Sequence, residues 1–236
     1  VRGVIVAADS QQEWLLPWWW KRYSAHNSYP VAFFDFGMSK ESKLWCQERG
    51  AYYPLEVADL KEVESERTDV WQKRWGEGIW LFRRAWFKKP LACLLAPFDV
   101  NCWCDLDCEV RGNLEPLFES LTPDMAIALA REDKRAQEMD LKQGFSFEGE
   151  ISYNSGVLVF RKDEPLIHAW EKSSREQNDR FLSDQTLLSR LIYLTDAKVK
   201  ELSPIWNWLR NWGENPEALV VHYNQSAKLE ILKKQL

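Results

Sequence analysis

The stretch 101-NCWCDLDCEVRGNLEPLF-118 decides how the rest of the chain is read. An apolar run ends in Asp105 and Asp107, separated by Leu106, and a turn signal follows at Arg111-Gly112-Asn113. Ionised groups at the mouth of a buried strand are costly unless they are paired or bound to a metal. On an extended strand, side chains two apart share a face, about 6.6 to 6.8 Å from one another along the backbone. Both carboxylates can then reach one hard cation, directly or through water, as Mg2+ or Mn2+ is bound when phosphate oxygens complete the octahedron. A lone D-x-D also fits a solvated strand end with two ordinary acids, so the neighbouring sequence has to decide.

Outward from this stretch, strands and helices alternate. Residues 3-GVIVAAD-9 and 31-VAFFDFG-37 read as buried parallel strands, each followed by a helical pattern, 14-WLLPWWWKRY-23 and 42-SKLWCQERG-50. Ser10 and Glu13 fit a capping box for the first helix, which Pro17 should kink or shift. Trp71, Trp75, Ile79, Phe82 and Trp86 form a helical stripe interrupted by Gly76 and Gly78. Further strands read at 125-MAIALA-130, 151-ISYNSGVLVF-160 and 219-LVVHYN-224, and helices at 165-PLIHAWEKSSR-175 and 184-DQTLLSRLIYL-194. The pattern predicts a single α/β domain over residues 1–236, a mixed central sheet flanked by helices. In such sheets ligands bind beyond the carboxyl ends of the strands. Asp9, Asp105 and Asp107 all fall at such ends, so they can converge on one site.

A chain of 236 residues, 45% hydrophobic, is large enough to bury a sizeable core. The net charge of −5 argues against nucleic acid as a partner. The run 90-PLACLLAPF-98 is too short to span a bilayer. Trp18, Trp19 and Trp20 beside Lys21-Arg22 leave a peripheral membrane contact open. The five cysteines are odd in number, which points away from a secreted disulfide framework and towards a reducing, cytoplasmic setting. Cys102, Cys104 and Cys108 admit zinc, but they lack a C-x2-C knuckle and equally suit buried apolar thiols. The sequence starts at Val1, so a leader, anchor or further domain can precede it.

The whole stretch 89-KPLACLLAPFDVNCWCDLDCEVRGNLEPLF-118 resembles the D-x-D region of GT-A glycosyltransferases, particularly glycogenin-like and related bacterial sugar transferases. The resemblance continues through 152-SYNSGVLVF-160, similar to the family's N-[AS]-G strand, 183-SDQTLL-188, similar to its D-Q helix start, and 222-HYNQSAK-228, similar to H-x2-G-x2-K. It departs at Gln225, where the family carries glycine, at Phe181, where glycogenin carries another acid, and in its Trp-rich segments.

The resemblance implies a Rossmann-like GT-A fold with a nucleotide-binding half, 1–110, and a sugar and acceptor half, 111–236. It implies a nucleotide-sugar donor, with a UDP-hexose as the first guess, and an acceptor that is a carbohydrate, lipid or protein. Asp105 and Asp107 would hold Mn2+ or Mg2+ with His222, Leu106 lying between them, while Lys89 and Lys228 would contact phosphate. Ala7, Ala8 and Asp9 would meet the nucleoside, although Asp9 also suits a plain helix cap. Asn154, Asp184 and Gln185 would surround the donor sugar, with Asp184, Gln185 and Lys89 as the catalytic candidates and transfer proceeding with retention. Trp206 and Trp208 are candidates for stacking on a sugar. Asn224-Gln225-Ser226 is a glycosylation sequon inside the expected metal motif, so Asn224 is expected to be unmodified.

Two rivals remain. A D-x-D phosphatase would carry the motif on its first strand, with a late G-D-x3-D motif that this sequence lacks. A catalytically idle sugar- or nucleotide-sugar-binding domain would keep the fold without turnover.

Overall fold

A computed structural model of the chain describes residues 1–56, 59–224 and 227–235, with backbone only at 232, 234 and 235. The first part runs β1 (Arg2–Ala8), α1 (Leu16–Ser24), β2 (Val31–Asp35), α2 (Lys40–Gln47) and β3 (Ala51–Pro54). Next come α3 (Ser65–Trp75), α4 (Ile79–Trp86), α5 (Lys89–Leu94), β4 (Val100–Cys104), β5 (Cys108–Val110), α6 (Glu115–Glu119), β6 (Ile127–Arg131) and α7 (Lys134–Lys142). The chain ends with β7 (Tyr153–Arg161), α8 (Pro165–Glu176), α9 (Asp184–Thr195), β8 (Val199–Glu201), β9 (Trp208–Leu209), β10 (Val220–His222) and α10 (Lys228–Gln235).

A seven-stranded sheet has the order β3-β2-β1-β4-β7-β6-β8, and β5-β10-β9 form a small second sheet. Strand β1 is parallel to both β2 and β4, whereas β7 is antiparallel to β4 and β6. The sheet is therefore mixed, as the sequence predicts. Strict alternation along its strands feeds two cores. Val4, Val6, Phe33, Cys102 and Cys104 face α1 and the small sheet, while Ile5, Ala32, Phe34 and Trp103 face α5, α8 and α9. With both faces covered, the strands read as near-continuous apolar runs.

Several local expectations need correction. Ser10 forms no capping box: Asp9 closes the turn that precedes the helix by accepting from the Gln11 and Gln12 N–H groups at 2.9 and 3.0 Å, the first helical turn has no side-chain cap, and Glu13 instead accepts from the Ser39 N–H at 2.6 Å. Pro17 is the second residue of α1, where its missing N–H leaves no bond unmade, so it shifts the start of the helix. The tryptophan stripe is two helices, because Gly76 closes α3 at φ +76°. Trp18, Trp19 and Trp206 are buried in the core, which removes Trp18 and Trp19 from any membrane face and Trp206 from sugar stacking. Burial of large aromatic surface outweighs what their neighbours in sequence suggest. Trp208 packs edge-on against Trp212, with ring centroids 5.1 Å apart. Among the described residues no helix is long and apolar enough to cross a membrane.

Candidate active site

In the sheet order, β1 is followed on one side by β2 and reached from the other by β4. The crevice at the carboxyl ends of β1 and β4 is thus a topological switch point. Asp9 leaves β1 there and Asp105 leaves β4 there. Strand β4 ends at Cys104, so Asp105, Leu106 and Asp107 form a turn, closed by the Cys108 N–H donating to the Asp105 carbonyl at 3.0 Å. The same-face argument for an extended strand therefore does not apply. The turn nevertheless aims both acids at one imidazole, with His222 Nε2 3.3 Å from Asp107 Oδ1 and 3.9 Å from Asp105 Oδ2.

The start of β7 forms the opposite wall. Pairing with β6 jumps from Leu129↔Leu158 to Ala130↔Asn154, so the segment around Ser155 and Gly156 bulges out of the β6 ladder. The Ser155 N–H then donates to Gln185 Oε1 at 3.0 Å and the Gly156 N–H to Asn154 Oδ1 at 2.9 Å. Gly156 is required for packing: a Cβ there would lie 2.4 Å from His222 Cε1 and 2.6 Å from Nδ1. The ring of His222 occupies that space.

Lys89, the first residue of α5, reaches into this wall. Its Nζ lies 3.1 Å from Asp105 Oδ1, 3.6 Å from Asp184 Oδ2 and 3.2 Å from both the carbonyl and the hydroxyl of Ser155. Asp184 Oδ2 also accepts from the Ser155 hydroxyl at 2.9 Å. Asp184 is placed by α9, whose N-terminus is closed by a Ser183–Thr186 capping box. On the other side of the turn, Lys228 Nζ lies 2.8 Å from Asp107 Oδ2.

These pairings set the electrostatics. Burial lifts the Asp107 carboxyl, but Lys228 and His222 outweigh it and hold the acid well below the usual carboxylate range. Burial lifts Asp184 as well, and there Lys89 is not enough to offset it, so that carboxyl stays raised. Burial works to lower Lys89, yet Asp105 and Asp184 keep its ammonium above the ordinary lysine value. His222 is likewise drawn down by burial and raised overall by Asp107. Lys228 is raised by Asp107 against its own desolvation.

The donor set fits a divalent cation. Asp107 and His222 offer ligand atoms within 4.8 Å of one another, and Asp105, outside that group, approaches the same imidazole to 3.9 Å; the carboxylate oxygens are hard donors that suit Mn2+ or Mg2+. Cys108 shares the neighbourhood, with one ligand atom from each of Asp107, Cys108 and His222 lying within 4.8 Å of the others. Burial pushes its thiol well above the ordinary value, which leaves the oxygens and the imidazole as the better ligands. Cys102, Cys104 and Cys108 make no common ligand group among the described residues.

Among the expected site residues, Lys89, Asp105, Asp107, Asn154, Asp184, Gln185, His222 and Lys228 are brought together by the contacts above and by those of Glu132. Ala7 and Ala8 end β1 at the same sheet edge and Asp9 follows them, and Leu106, within the turn, is buried. Gln225 lies outside the described residues, as does Ser226 of the sequon. Asn224 Oδ1 accepts from Asn211 Nδ2 at 3.1 Å. Two residues were not foreseen. Glu132 Oε2 accepts from Asn154 Nδ2 at 2.9 Å and from Gln185 Nε2 at 2.6 Å. Asn207 bridges Asn154 and His222 at 2.8 and 3.0 Å. Glu132 follows β6 at the sheet edge, a position that topology flags, whereas Asn207 gives only the signal of a polar residue between two tryptophans.

Neither a protein-family model nor a curated protein matches the sequence. Solved structures match it in shape. The galactosyltransferase LgtC, in complex with donor and acceptor sugar analogs, superposes with a TM-score of 0.66 at 16% identity, covering 96% of this chain and 88% of that one. Mouse xyloside xylosyltransferase 1 gives 0.60 at 13% identity, covering 96% and 99%. The glycosyltransferase GlyE of Streptococcus pneumoniae gives 0.61 at 18% identity, covering 95% of this chain and 55% of that one. The chain has the GT-A fold of these glycosyltransferases.

Proposed function

We propose that the protein is a metal-dependent glycosyltransferase that moves a hexose from a nucleotide diphosphate donor, UDP first, to a carbohydrate, lipid or protein acceptor, with retention. The observation that carries this reading is the convergence of Asp105, Asp107 and His222 on one side of a turn, and of Lys89, Asp184 and Gln185 on the other, at the switch point of a GT-A sheet. Residues 1–110 would hold the nucleotide and residues 111–236 the sugar and acceptor.

Asp105, Asp107 and His222 would hold Mn2+ or Mg2+, which when bound supplies charge neutralisation for the departing diphosphate. Lys228, paired with Asp107, would add a second positive charge beside the phosphates. Asp184 and Gln185 orient the sugar hydroxyls through acceptor and donor groups. The bond from the sugar C1 to the phosphate oxygen breaks, the bond from C1 to the acceptor oxygen forms on the same face, and the acceptor proton passes to the departing phosphate. Asp184 then supports the positive charge developing at C1.

A thermal-shift screen of nucleotide sugars with and without Mn2+ tests the reading. A nucleotide-sugar shift that depends on Mn2+ is expected in the native chain and lost in Asp105→Asn and Asp107→Asn, whose melting in buffer alone shows that they fold. Unchanged shifts in both variants would sink the metal assignment. With an acceptor found, the anomeric coupling in the fresh product reads retention, and a β linkage from an α donor refutes it.

A further inference from the structure

Asn207 belongs to no element of the motif, and it is almost wholly buried, with 1% of its surface exposed. It follows the turn Pro204–Trp206 and opens into β9, whose pairing with β10 sets Leu209 opposite His222. Backbone pairing thereby holds the Asn207 side chain beside the imidazole.

The orientation of each amide here follows from groups whose character is not open to choice. The backbone N–H of Gly156 can only donate, and it meets Asn154 Oδ1 at 2.9 Å. At the other end of the same amide, Asn154 Nδ2 meets Glu132 Oε2 at 2.9 Å. That carboxylate accepts from Gln185 Nε2 as well, at 2.6 Å, and its other oxygen accepts from the Asp133 N–H at 2.7 Å. Gln185 is fixed in its turn by the Ser155 N–H, which donates to its Oε1 at 3.0 Å. Asn154 therefore presents oxygen, not nitrogen, to its neighbour. The group of Asn207 that lies 2.8 Å from that oxygen must be Nδ2, which leaves Asn207 Oδ1 as the atom 3.0 Å from His222 Nδ1. An oxygen acceptor at Nδ1 requires a proton there. The other nitrogen, Nε2, is the one aimed at Asp105 and Asp107.

We propose that Asn207 is a positioning residue for the cation site: it holds the proton on His222 Nδ1 and so presents Nε2 as the ligand. This rests on the metal-dependent reading above. Metal-bound histidines depend on such a partner at the second nitrogen to fix the tautomer and the ring plane. Here the partner is a neutral amide whose own direction is set, through Asn154, by Glu132 and the Gly156 backbone. The same chain of amides ends on Gln185, so the sugar side and the cation side of the crevice share one hydrogen-bonded frame.

The test is Mn2+ binding by calorimetry, without nucleotide, to the native chain, Asn207→Leu, Asn207→Ala, His222→Ala and Asn207→Leu/His222→Ala, with thermal melting in buffer to confirm folding. Asn207→Ala guards against a leucine that does not pack. The expected result is a loss of about 10- to 100-fold in affinity for either Asn207 variant, and no further loss when Asn207→Leu is added to His222→Ala. With Mg2+ in place, 15N correlation spectra should show the Nδ1 of His222 protonated and Nε2 not. The protein has three histidines, so His222→Ala assigns the signal by subtraction. Equal affinity in the Asn207 variants and the native chain overturns the inference, as does an undiminished loss in the His222→Ala background, which would mark Asn207 as merely structural. A native chain that binds no Mn2+ sinks the metal-dependent reading itself, a result none of the other outcomes mimics.

Discussion

The turn at residues 105–107 is flanked by two lysines that meet their carboxylates in opposite ways. Lys89 is enclosed, with 6% of its side chain exposed, and it is shared among Asp105, Asp184 and both oxygens of Ser155, above the ring of Trp103. Lys228 has 29% of its side chain exposed and one close acidic partner, Asp107. The first pairing is a fixed part of the pocket wall. The second is partly open to solvent. The resemblance assigns both lysines to phosphate, and the geometry separates them: the Lys89 ammonium is surrounded by hydrogen-bond partners, whereas Lys228 has one close carboxylate and part of its side chain in solvent.

The sharpest way to break this contrast is to remove the enclosed charge. Lys89→Met leaves Asp105 and Asp184 without their cation, and deleting one partner of a buried pair typically costs about 3–5 kcal/mol. Chemical denaturation should show a loss of that size. Adding Asp184→Asn to Lys89→Met should recover a large part of it, since the acid stranded by the first change is then neutral. A loss below about 1 kcal/mol for Lys89→Met, the range of solvent-exposed pairs, would mean that Lys89 is no more enclosed than Lys228.

A third acid at the same sheet edge tests whether the direction of a shift follows from the partners. Asp35, at the end of β2, is nearly as buried as Asp107. Burial works to raise it, and hydrogen bonds from the Tyr52 hydroxyl, the Met38 N–H, Lys43 and the Gly37 N–H overcome this, bringing the carboxyl down from 3.8 to about 2. At Asp184 burial prevails instead. A depressed folded value means that stability is present above the unfolded value and is lost as the pH falls from about 4 towards 2. The stake is on the order of 2 kcal/mol. Stability measured across that window should fall in the native chain and stay flatter in Asp35→Asn. An equal slope in both would show that the hydrogen bonds to Asp35 do not favour its charged form.

What the sequence made legible follows the same division between local and long-range causes. β1, β2 and β4 could be read because a strand buried on both faces is a short, continuous apolar run. The acids at their ends stood out because charge there is costly. Asn154, Asp184, Gln185 and His222 were legible only through motif order. β3 escaped notice because Ala51–Pro54 is short, partly exposed and closed by proline. Glu132 and Asn207 escaped because their meaning comes from pairing across the chain: β6 with β7 for one, and β9 with β10 for the other. The tryptophans misled in the reverse direction. Trp18 and Trp19 look like a membrane face in sequence, yet both are buried in the core around α1.

The smallest effect expected is also the one that best separates the two lysines. Lys228→Met removes a partly exposed charge and leaves the buried Asp107 with His222 as its remaining partner, so its cost in stability should stay below that of Lys89→Met. Its effects on ligands should have opposite signs. In the free protein Lys228 occupies Asp107 Oδ2 at 2.8 Å, which a divalent cation would have to share or displace. Without that lysine, Asp107 keeps His222 as its partner and turns a free oxygen towards the crevice. Mn2+ affinity should therefore hold or rise, by up to about tenfold, or 1.4 kcal/mol, while affinity for UDP at saturating Mn2+ should fall, because the diphosphate loses a cation. Calorimetry on one sample series reads both. A fall in Mn2+ affinity alongside UDP affinity would mean that Lys228 supports the acids as Lys89 does, and the distinction between an enclosed lysine and a partly exposed one would be lost.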